Sequence, residues 1–443
     1  MSRFLLTFYG DDFTGSTDAL EQLTLAGIRT ALFIQPPTPA QLKNFPGLQA
    51  VGVAGNTRSL APKAMERELK PTLRAFKRLQ PRHVHYKVCS TFDSAPKIGS
   101  IGCAMAVAAK IFPAPFIPLL VAAPALGRYT IFGQHFARYG IGSAGAIHRL
   151  DRHPSISKHP VTPMTEADLR LHLSKQTKKK SALFDILKFS LPEKEFHAAF
   201  RQLLAEKPDV VLFDALTAEH IARIGELLEK STDKAGSLFS VGSSGVEAAL
   251  ASAWNKKRLA GTLAPPTKQV LIGSGSCSPV TSGQIAWALK HGFAEVALNA
   301  VALTNATTAA KEISRAAQAA AKQLRAGRSV IVHSTKSGSD PRIAAKLKGR
   351  TAEVLGSSLG KVLREAVEQS SVRRVCIAGG DTSSYAARAM GIEALEMIAP
   401  LTPGAPLCRA NANGSPVDGG EVVFKGGQVG GEDYFAKVLT RGR

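Results

Sequence analysis

The stretch "FLLTFYGDDFTGSTDAL" occupies residues 4–20 and reads as one strand feeding one helix. An apolar run over Phe4–Phe8 leads to two adjacent aspartates, Asp11 and Asp12, and Thr14 and Gly15 then open a helical pattern. A short apolar run closed by an acidic or glycine turn is the signature of a buried strand, and the change from continuous apolarity to a helical period marks the crossover. The alternation recurs along the chain. Residues 30–34, 49–54, 117–123 and the "DVVLFDA" of 209–215 read as further buried strands, and "SLFSVGSSGVEAAL" at 237–250 as strand, Gly-Ser turn and helix. Alternating strands and helices predict an α/β fold with a mostly parallel sheet covered on both faces.

With 443 residues the chain exceeds one ordinary core and suits two domains, each a mostly parallel sheet flanked by helices. The stretch "NKKRLAGTLAPPTK" at 255–268 combines charge, glycine and a double proline, as an exposed linker does. The expected division is an N-terminal domain over 1–258, a linker over 259–268 and a C-terminal domain over 269–443. Beyond the linker the pattern restarts with strands at 269–275, 329–335 and 373–380, an Ala-rich helix near 308–326 and another through 356–369. In the first half, "MTEADLRLHL" at Met164–Leu173 predicts a helix with Thr165 as N-cap and Asp168 three residues on, close to a capping box.

Composition removes several classes. The apolar run at 111–127 carries four prolines, so it reads as a strand with loops and not as a membrane span. The N-terminal apolar run stops at Asp11 with no small-residue cleavage site, which leads to the expectation of a cytoplasmic protein without a membrane partner. Five scattered cysteines fit reduced thiols and argue against a cysteine-held metal. The net charge of +22 draws anions of any kind, but the basic clusters at 175–180, 255–258 and 346–350 lie apart and read as solvated helix ends or loops. With aromatics at 6%, no stacking surface for a nucleic acid is visible.

Three segments of the second half put glycine and serine directly after a strand: "IGSGSCSPVTSGQ" (272–284), "IAGGDTSSYAARAMG" (377–391) and "KGGQVGGEDYF" (425–435). Such turns present backbone N–H groups and a helix N-terminus to an anion. Each is also an ordinary turn composition, and none matches a P-loop or a dinucleotide fingerprint. Asp381 either caps the helix that follows it or holds water on Mg2+, capping being the plainer role. In the first half the candidates are Asp11, Asp12, Arg58 and the run from Lys87 through Ser90, Thr91, Phe92, Asp93 and Ser94. Arginine grips carboxylates, hydroxyls and carboxylates bind polyols, and a carboxylate beside a hydroxyl can take its proton. Together they describe a pocket for a small hydroxy acid. His153 and His159 lie six residues apart with no third ligand near, so no zinc site is read there. Ser244 in "VGSSG" is only a loose nucleophile turn, and a serine hydrolase or a basic nucleic-acid binder remain the rival readings.

Taken in order, "DDFTGSTD", "KVCSTFDSAPKIGSIG", "GRYTIFGQHFARYG", "HPVTPMTEADL", "GSGSCSPVTSGQ", "AGGDTSSYAARAMGI", "PGAP" and "GEDYF" resemble the four-carbon acid sugar kinases over nearly the whole chain. The resemblance implies ATP-dependent phosphorylation of a terminal hydroxyl, with the acid sugar on the N-terminal domain, ATP on the C-terminal one and the active site in the cleft between them. It carries ATP contacts onto Ser274, Gly275, Ser276, Gly379, Gly380, Asp381, Thr382 and Gly430, and acid-sugar contacts onto Asp11 or Asp12, Arg58 and the Thr91–Ser94 stretch. The implied catalytic group is Asp12 or Asp11, the cofactors are ATP and Mg2+, and a homodimer is an open option. Tyr9-Gly10 before the Asp pair and Asp381 in place of the usual glutamate depart from the family pattern and bear on substrate choice.

Overall fold

The computed structural model describes residues 4–139, 145–159, 161–255, 263–335, 347 and 350–439. Backbone contacts divide the chain into two units, Met1–Thr30 with Gln35–Leu259, and Ala31–Ile34 with Ala260–Arg443. Residues 259–262 of the expected linker, together with most of the basic clusters at 255–258 and 346–350, lie outside the described residues.

Strands of the first half are β1 (Leu6–Gly10), β2 (Thr30–Phe33), β3 (Ala50–Ala54), β4 (His83–Lys87), β5 (Ile117–Leu120), β6 (Arg128–Ile131), β7 (Gln134–Arg138), β8 (Ile147–Arg149), β9 (Ser181–Phe184), β10 (Val210–Phe213) and β11 (Leu238–Gly242). The first unit's main sheet has the order β3-β1-β4-β11-β5-β10-β9, and every pairing within it is parallel. Every residue of β1, β3, β4, β10 and β11 is buried, as helices on both faces require. The chain places β3 on one side of β1 and β4 on the other, so a switch point opens at the carboxyl ends of these strands, where α/β folds bind ligands. A separate antiparallel sheet, β6-β7-β8, carries the segment 128–149.

In the second half, β12 (Leu271–Ser274), β13 (Ala294–Ala297), β14 (Val330–His333), β15 (Arg374–Ala378), β16 (Ala394–Thr402), β17 (Ala405–Asn411) and β18 (Glu421–Lys425) follow. The order β13-β14-β12-β15-β18 is parallel, and β17, β16 and residues of β2 continue it antiparallel. A second switch point falls between β12 and β15, whose ends are in register at Ser274 and Ala378.

One local expectation is corrected. The helix predicted from Thr165 begins only at Leu169, and its N-cap is Asp168, whose carboxylate accepts from the Arg170 N–H. The backbone up to Asp168 is held extended by a β-bridge between Gln134 and Asp168, so the helix cannot start earlier. Among the described residues no helix is long and apolar enough to cross a membrane.

Candidate active site

At the first unit's switch point the Asp pair separates into two chemically different carboxyls. Asp12 stands in extended conformation as the N-cap of the helix Phe13–Leu25. Its Oδ1 accepts from the Gly15 N–H at 2.8 Å, and its Oδ2 accepts from Thr14 Oγ1 at 2.9 Å and pairs with the Arg58 guanidinium at 2.8 Å. Burial opposes its charge, but Arg58, Lys87 and these hydrogen bonds outweigh burial and hold Asp12 below the usual carboxylate range. Glycine is required at 15, because a Cβ there would stand 2.5 Å from Asp12 Oδ1.

Asp11 is equally buried, yet its Oδ1 has no hydrogen-bond partner among the described residues. Burial, reinforced by the charge of Asp12, pushes the Asp11 carboxyl up to about 7. Its backbone is pinned on both sides: its N–H donates to the Lys87 carbonyl at 2.8 Å, and its carbonyl accepts from the Arg58 N–H at 3.0 Å. The backbone is thus fixed while the Oδ1 oxygen is left unspent. Lys87, fully buried at the end of β4, donates to the Val88 carbonyl and lies 3.3 Å from Asp18 Oδ2. Burial works against its charge, and Asp18 foremost among its acidic neighbours overcomes it and raises the ammonium above its ordinary value.

The loop after β4 divides its residues between the surroundings of the Asp pair and the core. Thr91 Oγ1 donates to Asp93 Oδ1 at 2.8 Å, with Cys89 Sγ 3.0 Å from the same hydroxyl, beside the Asp pair. Two expected contacts, Phe92 and Ser94, face the core, and Ser90 is held through its backbone. Phe92 is wholly buried in the hydrophobic core, its ring edge-on to His172, with φ of +57° in the left-handed region that a bulky residue seldom adopts. The Ser94 hydroxyl donates to the Phe92 carbonyl and is also engaged by His172 Nε2 and Gln176 Nε2. Ser90 is held through its carbonyl, 2.9 Å from His135 Nε2. Burial pushes His135 down to about 4, so it is neutral; with Nε2–H donating to that carbonyl, Nδ1 accepts from Thr130 Oγ1 at 2.8 Å. His135, His172 and Gln176 are supports that the sequence reading did not single out, since their partners lie 45 to 82 residues away in the chain.

The second unit's switch point encloses a cavity of about 690 Å³. The turns after β12 and β15 supply Gly275, Ser276, Gly379, Gly380, Asp381 and Thr382 to its wall, and Gly427 enters from the loop after β18. An apolar side is formed by Leu298, Val301, Ala352 and Leu355. Close backbone approach demands the glycines: a Cβ on Gly275 would meet Thr382 Oγ1 at 2.5 Å, and Gly379 holds φ of +123°. Gly379 is itself the N-cap of the helix Gly380–Ala389 and offers no side-chain cap, so the amides of the first turn face the cavity end unclaimed by a side chain. Asp381 therefore does not cap this helix; it is exposed on the cavity wall. Ser274 is fully buried behind the wall, its Oγ unpartnered among the described residues. Gly430 lies away from the cavity lining, in a turn packed on the Tyr434 ring whose carbonyl accepts from Gln284 Nε2. Gly427, three residues earlier, lines the cavity in place of the expected Gly430.

The rival serine has no such setting. Ser244 is buried at the start of the helix Gly245–Ala253, and among the described residues no histidine hydrogen-bonds its hydroxyl. His153 and His159 serve turns: Nδ1 of the first accepts from the Ser155 and Ile156 amides, and Nδ1 of the second from the Thr162 amide.

Known proteins show the same two-part layout. A family model of a sugar-binding N-terminal domain matches residues 6–250, and one of a nucleotide-binding C-terminal domain matches residues 271–435. A 3-oxo-isoapionate kinase of Paraburkholderia graminis is 41% identical, covering 98% of this chain and 94% of that protein. A 3-oxo-tetronate kinase of Pseudomonas savastanoi pv. phaseolicola is 27% identical over 99% of this chain and 98% of its own length. Crystal structures of a Salmonella typhimurium protein (TM-score 0.77, 24% identity) and a Haemophilus influenzae protein (TM-score 0.69, 21% identity) each cover 98% of both chains and share the fold.

Proposed function

Because the chain belongs to the four-carbon acid sugar kinase family, ATP-dependent enzymes that phosphorylate sugar acids, we propose that its acceptor is a 3-oxo sugar acid bound on the first unit and that Asp11 is the base for the attacking hydroxyl. Both named kinase relatives act on 3-oxo acids, and 3-oxo-isoapionate, the substrate named for the 41% identical relative, is the first compound to test.

The observation that carries the assignment is the unspent oxygen of Asp11. A general base must be held near its proton, be ionised in part at working pH and retain basicity, and a carboxyl poised at about 7 meets the last two conditions. Asp12, tied to the helix amide and to Arg58, is a weaker base and a better scaffold. Arg58 keeps its charge beside Asp12 and Asp11 and is assigned to the substrate carboxylate, with Thr91 and Asp93 on its hydroxyls.

Phosphoryl transfer asks the protein chiefly for position and for positive potential. On this reading the amides of the Gly275-Ser276 and Gly379–Thr382 turns hold the phosphates of ATP, and the apolar wall receives the base. Asp381, exposed and free of a capping role, is the carboxylate that would hold water on Mg2+, which supplies charge against the phosphates when bound. ADP release across 3-oxo-isoapionate, 3-oxo-tetronate, threonate and erythronate in the presence of Mg2+ tests the reading; silence across that panel would remove it.

A further inference from the structure

The second unit buries a lysine that the phosphate turns leave unexplained. Lys425 ends β18, in register with Ala378 at the end of β15, and its side chain is completely buried. Its Nζ donates to Thr281 Oγ1 at 3.0 Å, and that hydroxyl donates in turn to the carbonyl of Gly427, on the cavity wall, at 2.9 Å. The Lys425 carbonyl accepts from the Gly379 N–H at 2.9 Å, so both glycine turns are tied to one residue.

No carboxylate pairs with this ammonium among the described residues. The groups that face it are the Tyr434 ring, 5.5 Å from Nζ, and the Cys376 thiol of β15, which burial pushes up to about 12 and keeps neutral. Burial also draws Lys425 down to about 8, so it carries its charge through neutral pH. A buried ammonium without a counter-ion costs stability, and a methionine of similar length would fill the site without that cost. The charge therefore has a use that folding does not supply, and the wall residues it is tied to, Gly427 through Thr281 and Gly379 through its own carbonyl, belong to the cavity.

We propose that Lys425 is a positioning residue for the nucleotide, fixing the Gly427 wall through Thr281 and giving the phosphate end of the cavity a positive charge. The inference rests on the reading of that cavity as the ATP site. Three variants separate the two: Lys425→Met, Thr281→Val and, as a probe of the cavity itself, Gly275→Val. ATP affinity by calorimetry, the KM for each substrate, kcat and the melting temperature are read for all three.

Lys425→Met is expected to weaken ATP about tenfold, leave the KM for the sugar acid unchanged and melt no lower than the parent. Thr281→Val, which keeps the charge and loses the bridge, is expected to weaken ATP by about threefold. ATP affinity within about twofold of the parent in Lys425→Met, with binding lost in Gly275→Val, overturns the role of Lys425 and leaves the nucleotide site standing. Unchanged affinity in Gly275→Val overturns the site and the inference with it. Should Lys425→Met not fold, Thr281→Val decides by the same division between the two KM values.

Discussion

The carboxyl edges of the two sheets solve different recognition problems with different chemistry. The first unit crowds ionisable side chains there: Asp11, Asp12, Arg58, Lys87 and Asp93 stand at or just beyond the ends of β1, β3 and β4. The second places glycine, serine and threonine backbone around an open cavity and keeps a buried cation, Lys425, behind the wall. A sugar acid must be told from its isomers and relieved of a proton, which requires directional side chains of tuned basicity. A polyphosphate is recognised by its charge, and fixed amide dipoles meet that demand without the desolvation cost of several lysines.

The comparison can be broken most sharply at Asp11. Asp11→Asn keeps the shape and removes the base, so kcat should fall roughly 10²- to 10⁴-fold while the protein melts no lower, since no hydrogen bond to Oδ1 is lost. ADP release and a thermal melt decide it; retained turnover would shift the base elsewhere. The pH profile sharpens the same point, with kcat/KM rising through about pH 7 as Asp11 ionises. The stability signs are opposite for the pair. Above pH 3.8 the unfolded chain releases the Asp11 proton that the native state keeps up to about 7, so Asp11 costs stability as pH rises through that window. Asp12, lowered in the native state, stabilises above 3.8 and loses that contribution as pH falls below it.

On the second edge, Gly379→Ala forces a Cβ onto a φ of +123° and within 2.9 Å of Thr382 Oγ1. Its ATP KM should rise by up to about 10²-fold with the sugar-acid KM unmoved, the mirror image of the Asp11 result. Asp12→Ala should act mainly on folding: losing the cap and stranding Arg58 is expected to cost about 3 kcal/mol in urea unfolding. The smallest effect is at Cys277, the exposed cysteine on the cavity of the second unit. Its alkylation should slow by a few-fold when ATP is present and remain unaffected by the sugar acid, as peptide mapping of the labelled protein would record.

Much of this was legible before any coordinates. The strand-turn-helix pattern announced the α/β class, and the positions of Asp11, Asp12, Arg58 and the Gly-Ser turns follow from runs that can be read within a dozen residues. Other features depended on partners far along the chain. Phe92 and Ser94 sit inside a motif that marks a ligand loop, yet the fold spends them on the core and on His172. Thr165 carries a good capping sequence, and a bridge to Gln134 overrides it. Gly427 and Gly430 look alike in sequence, and the fold tells them apart by setting Gly427 against Ser276 and Gly430, at φ of +86°, on the Tyr434 ring.

By itself, then, the sequence determined the α/β class and the continuously apolar strands, because hydrophobic period and turn composition are local properties; it did not mark β4, the antiparallel strands β6–β8 or the strands β16 and β17. Tertiary structure alone decided how the aspartates divide their work. Asp11 and Asp12 are the same residue type one position apart; what distinguishes them is that the β3 loop brings Arg58 and the helix brings the Gly15 amide to one carboxylate and leaves Oδ1 of the other without a hydrogen-bond partner among the described residues. A carboxyl's basicity is set by burial and by neighbouring charge, and those neighbours are assembled only when the chain folds.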